Sequence, residues 1–203
     1  MKLYYMPAAC SLSVQITLRE LGTPYEPVLV KNDTLPDGTA YATVNPRGQV
    51  PVLELDDGSR LTEGPVIVQY LVDQQAGSTL LPPVGTMERY RELEWLNYLT
   101  SEVHQRFYPL FKFPKLGEEA KAAFTADLEH KLAFVSERLG DRPWLMGDTL
   151  TSADGYLYAM LRWTGYLKVD ITRWPNLVAF MERMAARPAV QAAMVDAGLR
   201  KAA

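Results

Sequence analysis

The segment from Gly77 to Gly85, GSTLLPPVG, constrains the fold of this chain more than any other feature. It holds two prolines and two glycines, and it lacks the amphipathic period of a helix or a strand. Before it, strand-like and helix-like patterns alternate, whereas after it almost every stretch has helical spacing. Because 203 residues is long for one hydrophobic core, the break predicts two domains. We place them at residues 1–77 and 86–203, with a linker at 78–85.

The first predicted domain mixes strands and helices in the order β-α-β-(short α)-β-β-α. Asp57-Gly58 is a strong turn signal between the two strands of a hairpin. Pro65 suits the first turn of a helix, because its missing N–H costs nothing there. The strands are expected at Leu3–Tyr5, Pro27–Val30, Val50–Leu55 and Arg60–Thr62, and the longer helices at Ser11–Leu21 and Pro65–Gln75.

The second predicted domain is helical almost throughout. Thr151 to Asp154 resembles a capping box, with Asp at the position usually taken by Glu or Gln, so the Thr151 hydroxyl should satisfy an orphan N–H. The helices are expected at Met87 to about Tyr108, Glu118 to about Leu139, Thr151 to about Tyr166, Asn176–Ala186 and Ala189–Ala197.

Charge and cysteine content exclude several classes of function. The formal net charge is -3, and the basic residues alternate with acids, so neither nucleic acid nor an anionic membrane is expected as a partner. One cysteine excludes an internal disulfide, and two distant histidines with it predict no metal site. The amino terminus lacks the apolar core of a signal peptide, and no apolar run reaches about 18 residues. These features predict a cytoplasmic protein.

Cys10 is the first candidate for chemistry, because it lies between a predicted strand and a predicted helix. The N–H groups and the dipole at a helix start stabilise a thiolate, whether its own or that of a ligand. The alternative is that Cys10 is a small buried apolar residue, as free cysteines often are. Its position alone does not choose between the two.

Two short motifs have the chemistry to hold a peptide-like ligand. Pro51 opens a predicted strand. The Val50-Pro51 bond would more commonly be trans. A cis bond there would expose the backbone of Val50, which could then pair with a ligand as with an added strand. Glu63 and Gly64 end a strand and open a helix, where a carboxylate can hold an ammonium and N–H groups a carboxylate. A plain helix start beside an acid explains the second motif equally well.

Asn97, Ser101 and His104 form a polar stripe at positions i, i+4 and i+7 of the long predicted helix. The pattern alone favours a solvent-exposed face. The alternative is that the stripe faces the first domain across a cleft, where His104 donates a hydrogen bond to a sulfur at Cys10 or on a ligand.

In their order along the chain, these motifs resemble the bacterial beta-class glutathione transferases over essentially the full length. The segments that carry the resemblance are MKLYYMPAACSLS, ITLRE, VNPRGQVPVLELDDG, LTEGPVIVQYL, ERYRELEWLNYLTSEVH, TSADGYLYAMLRW and RPAVQAAMVDAGL.

The resemblance implies a thioredoxin-like α/β amino-terminal domain and an all-α carboxyl-terminal domain, the glutathione transferase fold, working as a homodimer in detoxification. It implies a cis Val50-Pro51 bond, and it implies that Asn97, or a neighbour on its helix, reaches a site shared with the other subunit. The implied catalytic residues are Cys10, Ser11 and His104, and the implied glutathione-binding residues are Cys10, Lys31, Val50, Pro51, Glu63, Gly64, Asn97, Ser101 and His104.

The sequence departs from the family pattern at positions that often carry a cation. Gln15 stands where the family often has His, Gln105 stands where it often has Lys, and Lys31 stands in for a loop lysine. Fewer cations should weaken the hold on an anionic tripeptide. The leading hypothesis is transfer of the glutathione thiol to a small apolar electrophile, with glutathione as co-substrate and no metal. The alternatives are thiol–disulfide exchange, peroxide reduction or reductive dehalogenation through Cys10, and a non-catalytic ligand binder.

Overall fold

The computed structural model describes residues 1–113 and 115–201. Contacts divide the chain into two compact units, the first comprising Met1–Ser78 with Ala185–Ala203, and the second comprising Thr79–Met184. The last helix therefore belongs to the unit of the amino-terminal sheet, whereas the sequence analysis assigned it to the second domain. The domain limits at residues 77 and 86 remain a prediction.

The first unit contains the strands β1 Lys2–Tyr5, β2 Glu26–Leu29, β3 Val52–Glu54 and β4 Arg60–Thr62, which form a mixed sheet in the order β2-β1-β3-β4. β1 pairs in parallel with β2 and antiparallel with β3, which continues antiparallel to β4. This is the predicted β-α-β-β-β-α order, and a 3-10 turn at Tyr41–Thr43 takes the place of the short helix. The helices of this unit are α1 Leu12–Glu20, α2 Gly64–Asp73 and α8 Pro188–Asp196.

Two Arg–carboxylate pairs join α8 to α1, one with its arginine on α1 and the other with its arginine just before α8. Arg19 on α1 donates twice to Asp196, at 2.6 Å for each bond. Glu20 accepts two bonds from Arg187, the residue before α8, at 2.6 and 2.8 Å. Bidentate pairs of this kind fix orientation as well as contributing energy. The end of the chain is thereby held against the helix that follows Cys10.

The second unit consists of helices α3 Met87–Tyr98, α4 Gln105–Lys112, α5 Glu118–Leu139, α6 Ser152–Leu167 and α7 Pro175–Ala185. α6 is its central helix, and most of its residues are buried. The predicted capping box is present, because the Thr151 side chain and the Asp154 carboxylate each cap the other's backbone. Glu92 of α3 also caps this helix, accepting a bond from the Ala153 N–H at 2.8 Å.

The prediction of one regular helix from Met87 to about Tyr108 is wrong in detail. A π-helical segment, Leu99–His104, separates α3 from α4. Its buried residues are Leu99 and Val103, so the wider turn keeps apolar side chains in the core. Periodicity of apolar residues does not distinguish such a segment from an α-helix of the same length, and π-bulges are frequent at functional sites.

Two features are absent from residues 1–113 and 115–201. No helix within these ranges is both long and apolar enough to cross a membrane. Within the same ranges, no three histidine, cysteine, aspartate or glutamate side chains are grouped so as to hold a metal ion.

Candidate functional site

Cys10 and the Val50-Pro51 turn lie together in the first unit. The Cys10 thiol donates to the Val50 carbonyl oxygen at 3.4 Å. The Val50-Pro51 bond is cis, as the family resemblance implied. Val50 is half-buried and packs against the cluster of Tyr4, Val30, Tyr41 and Val52. The Val50-Pro51 turn is thus packed against the core of the unit, and Cys10 lies beside the Val50 carbonyl.

The Cys10 thiol is held in its neutral form. Burial raises its pKa to about 11, and the nearby Glu63 carboxylate raises it further. The backbone N–H groups of Cys10 and Ser11 lower the pKa, which is the helix-start effect expected from the sequence, but burial outweighs them. At neutral pH the sulfur is therefore a hydrogen-bond donor rather than a thiolate.

Glu63 and Gly64 join the same group of residues at the start of α2. A Cβ placed on Gly64 would lie 3.9 Å from Pro51 Cγ and 3.8 Å from Ser13 Oγ, so these three residues are neighbours. Glu63 has φ 66° and ψ 109°, a region that costs a residue with a side chain about 1–3 kcal/mol. Strain of this kind is concentrated at ligand clamps, and here it sets an exposed carboxylate ahead of the helix N–H groups.

Arg47 is a neighbour of Glu63 that the sequence analysis did not select. Its Nη1 lies 3.0 Å from Glu63 Oε1, and its Nη2 donates to Thr62 Oγ1 at 2.9 Å. The guanidinium thus orients the carboxylate in the ligand-free chain and supplies positive charge. The only sequence signal was its place in the loop before Val50, four residues from Pro51.

The other predicted residues of this unit have different surroundings. Ser11 is fully buried, and its hydroxyl donates to the Met6 carbonyl at 3.3 Å. Lys31 is exposed, and its backbone forms a bridge with Thr34. Gln15 is fully buried on α1, so this departure from the family pattern lies in the packing of the unit. The roles predicted for Ser11 and Lys31 remain predictions.

In the second unit, the three predicted residues differ in exposure. Asn97 and Ser101 are exposed, and the Ser101 hydroxyl donates to the Asn97 carbonyl at 3.0 Å. His104 is half-buried, with its Nδ1 2.8 Å from the Tyr156 hydroxyl. Ser101 and His104 both lie in the π-helical segment, which ends at His104.

His104 lines an apolar pocket of about 250 Å³ within the second unit. Its other lining residues are Tyr108, Phe111, Lys112 and Trp163. Trp163 is buried, whereas Tyr108 and Phe111 are exposed and form an aromatic rim. None of these four was among the predicted site residues, and Trp163 was not because a tryptophan on a helix more often belongs to a core or an interface than to a site.

The two units, with a cis-proline turn beside a cysteine in the first, define the class of glutathione-using transferases. Residues 9–74 match the family model described as the glutathione S-transferase amino-terminal domain, and residues 99–188 match the carboxyl-terminal domain. The chain therefore belongs to the glutathione S-transferase family, and it is a transferase enzyme.

The relatives place the chain among the bacterial enzymes of that family. A glutathione S-transferase of Escherichia coli O157:H7, GstA, is 47% identical over 98% of this chain and 100% of its own length. A sphingomonad glutathione S-transferase, solved in complex with glutathione, is 42% identical, with a TM-score of 0.93 and coverage of 98% and 100%. A beta-class glutathione S-transferase of Sphingomonas chungbukensis is 40% identical, with the same TM-score of 0.93 and coverage of 98% and 100%. The resemblance to the bacterial beta class is confirmed.

Proposed function

We propose that this enzyme binds glutathione on its first unit and transfers the glutathione sulfur to a small apolar electrophile. The observation that carries the proposal is the grouping of Cys10, the Val50-Pro51 turn, Glu63 and Gly64 in one unit. The Val50 backbone pairs with the backbone of the tripeptide as an added strand does. Glu63 holds the ammonium, and the N–H groups at the start of α2 hold the neighbouring carboxylate.

In the reaction, the glutathione thiol loses its proton to solvent, and the resulting thiolate attacks an electrophilic carbon. A C–S bond forms, and the bond from that carbon to its leaving group, such as a halide, breaks. The protonated Cys10 thiol and the N–H groups of Cys10 and Ser11 stabilise the incoming thiolate by donating to it. These donors lower the pKa of the glutathione thiol. Each unit of that decrease corresponds to about 1.4 kcal/mol of stabilisation of the thiolate.

The neutral state of Cys10 favours this transfer over the redox alternatives. Thiol–disulfide exchange needs a thiolate, and a thiol with a pKa of about 11 supplies very little of it at neutral pH. In contrast, a protonated thiol suits the role of a donor to another sulfur. Assays of aryl halide conjugation and of disulfide reduction with wild type and Cys10→Ala separate the transfer role from the redox role. Conjugation should persist in the variant, whereas any disulfide reduction through Cys10 should be lost.

Binding of glutathione tests the proposal directly. Glu63→Gln removes the charge that holds the ammonium, so calorimetry should show at least a tenfold weaker affinity for glutathione. Glu26→Gln changes an exposed glutamate on β2 of the same unit and should bind as wild type does. Wild-type protein that neither binds glutathione nor conjugates an aryl halide would refute the proposal and leave the non-catalytic binder.

The pocket at His104 is the proposed binding site for the electrophile. Its walls are aromatic, and a volume of about 250 Å³ suits a small ring compound. Asn97 and Ser101 are kept as proposed glutathione contacts of the second unit. Lys31 is kept as a proposed contact of the first unit.

We further propose that the enzyme is a homodimer in the cytoplasm with a detoxifying role. A groove of about 680 Å³ on the second unit carries an aromatic cluster between α3 and α5, which is the surface proposed to meet the second copy. Trp95 and Phe134 have ring centroids 6.2 Å apart in this groove, and Arg91 and Arg138 line it. Partly exposed aromatics and arginines are typical of protein interfaces.

Sedimentation tests the dimer. Trp95→Glu places a charge in the groove and should give a monomer, whereas Tyr166→Glu alters an exposed aromatic residue outside that groove and should not. A monomeric wild type would refute the dimer proposal.

A further inference from the structure

The pocket proposed for the electrophile has a lysine in its lining. Lys112 is the last residue of α4, and it lines the same pocket of about 250 Å³ as His104, Tyr108, Phe111 and Trp163. Residues four apart lie on one face of an α-helix, so Tyr108 and Lys112 share a face and are separated by one turn, about 6 Å of helix rise. An exposed cation therefore adjoins the aromatic rim of this pocket.

The rest of the lining is aromatic. The Phe111 and Trp163 rings meet edge to face with centroids 5.6 Å apart, and the His104 ring lies 5.0 Å from the Trp163 ring. A cavity of about 150 Å³ holds a benzene ring, so the larger volume here leaves room for a ring with substituents. Walls of this kind favour a flat aromatic ligand.

The charge of Lys112 is available to such a ligand. Among the described residues that line the pocket, none is acidic. Within the part of the chain that the structure describes, no carboxylate forms an ion pair with the Lys112 ammonium. In contrast, Arg106 on the same helix is already paired with Glu102 and Asp127. The positive charge at this pocket is thus not offset by a neighbouring acid.

The position of Lys112 at the carboxyl end of α4 limits the charge of the ligand. A lysine in the last turn complements the helix carbonyls, which together carry about half an elementary negative charge. An ammonium has several N–H donors, so it can meet these carbonyls and a ligand at once. Because the helix end offsets part of the positive charge, the site favours one carboxylate over a phosphate dianion.

We propose that Lys112 makes the enzyme selective for aromatic electrophiles that carry a carboxylate, which the ammonium holds while the ring lies against the aromatic walls. This inference rests on the transfer reaction and the electrophile site proposed above. In the reaction, the glutathione thiolate forms a C–S bond with the ring carbon that bears a halogen, the bond from that carbon to the halogen breaks, and halide leaves. The carboxylate is unchanged, so Lys112 binds the substrate at a group that does not react.

Binding of unreactive analogues tests the selectivity without reference to turnover. Dinitrobenzoate and dinitrobenzamide lack a leaving halide and differ in charge at one substituent, so calorimetry with glutathione present compares them directly. Wild type should bind the benzoate more tightly than the amide. In Lys112→Met, which keeps an unbranched apolar side chain, the ratio of the two affinities should fall about fivefold, the upper range for an exposed ion pair.

Two further lysine variants serve as controls in the same experiment. Lys112→Arg keeps the charge and should retain most of the preference for the benzoate. Lys121→Met removes the charge of an exposed lysine on α5 that does not line this pocket, and it should bind both analogues as wild type does.

Kinetics with chlorodinitrobenzoate and its amide then tests the role of Lys112 in transfer. Lys112→Met should lower kcat/KM for the benzoate about fivefold, chiefly through KM, because the contact is made equally in the ground state and the transition state. The amide should be unaffected. Added salt should reduce the preference of wild type but not that of Lys112→Met, because it screens an exposed charge. Tyr108→Ala should weaken both substrates, since an aromatic rim contacts the ring.

A Lys112→Met variant that retains the wild-type preference, or that loses benzoate and amide equally, would overturn the inference. A wild type that binds the amide more tightly than the benzoate would overturn it as well. If wild type conjugates neither substrate, the proposed function fails, and the binding ratios by themselves decide whether Lys112 recognises a carboxylate.

Discussion

Glu92 gives this protein a buried carboxylate whose ionisation opposes folding. The side chain is 0% exposed, and its Oε1 accepts the Ala153 N–H at 2.8 Å. Burial raises the pKa of Glu92 to about 7, although hydrogen bonds with the Ala153 N–H and the Thr151 side chain lower it. Asp154, at the start of α6, also has a raised pKa of about 6, again because of burial.

The raised pKa determines both the sign and the size of the effect. The folded state keeps the Glu92 proton to about pH 7, whereas the unfolded chain releases it near the ordinary value of 4.5. The folded state therefore binds more protons between these pH values, so the free energy of unfolding falls as pH rises through this window. A shift from 4.5 to about 7 corresponds to roughly 3 kcal/mol of stability lost above pH 7.

Glu92→Gln isolates this contribution. The amide oxygen can still accept the Ala153 N–H, but the side chain no longer ionises. Urea unfolding between pH 5 and pH 8.5 should show the variant gaining stability relative to wild type as pH rises, by up to roughly 3 kcal/mol. Glu137→Gln, at an exposed position on α5, should remain parallel to wild type. A Glu92→Gln curve that also runs parallel to wild type, or that falls further below it at high pH, would refute the reasoning.

Three further predictions follow from the first unit. Alkylation of Cys10 by iodoacetamide in the ligand-free protein should accelerate with pH toward a midpoint near 11, and a midpoint below 8 would contradict the neutral thiol. A double-mutant cycle on Glu20 and Arg187, measured by urea unfolding, should give a coupling energy of about 1 kcal/mol. If the effects of the two single mutations simply add, their bidentate pair contributes nothing to the free energy of unfolding. Gly64→Ala should raise the free energy of unfolding by about 0.4–1 kcal/mol, because the added Cβ would meet only ordinary contacts at 3.8 and 3.9 Å. A measured loss of stability would show that the start of α2 needs glycine.

The order of elements could be predicted because it depends on local chemistry. The Asp57-Gly58 turn, the proline at the start of α2 and the capping box at Thr151 act on residues within one turn of themselves. The family resemblance added the cis Val50-Pro51 bond and the grouping of Cys10 with that turn, both of which the structure contains.

Other features depend on neighbours that are distant in the sequence. The neutral state of Cys10 results from burial, whereas its position at a helix start left a stabilised thiolate and a buried apolar residue both open. The Arg47–Glu63 pair joins residues from two loops, and the Tyr156–His104 pair joins residues 52 apart. No spacing rule within one segment indicates such partners.

The sequence by itself determined the order of the strands and of the longer helices, and that a single cysteine stands at a strand-to-helix junction. Tertiary structure alone decided the protonation of that cysteine, the π-helical segment that turns His104 toward α6, and the attachment of α8 to α1. The physical reason is range. Propensity, turn and capping preferences act over a few residues, whereas desolvation and side-chain pairing depend on which surfaces meet when the chain folds.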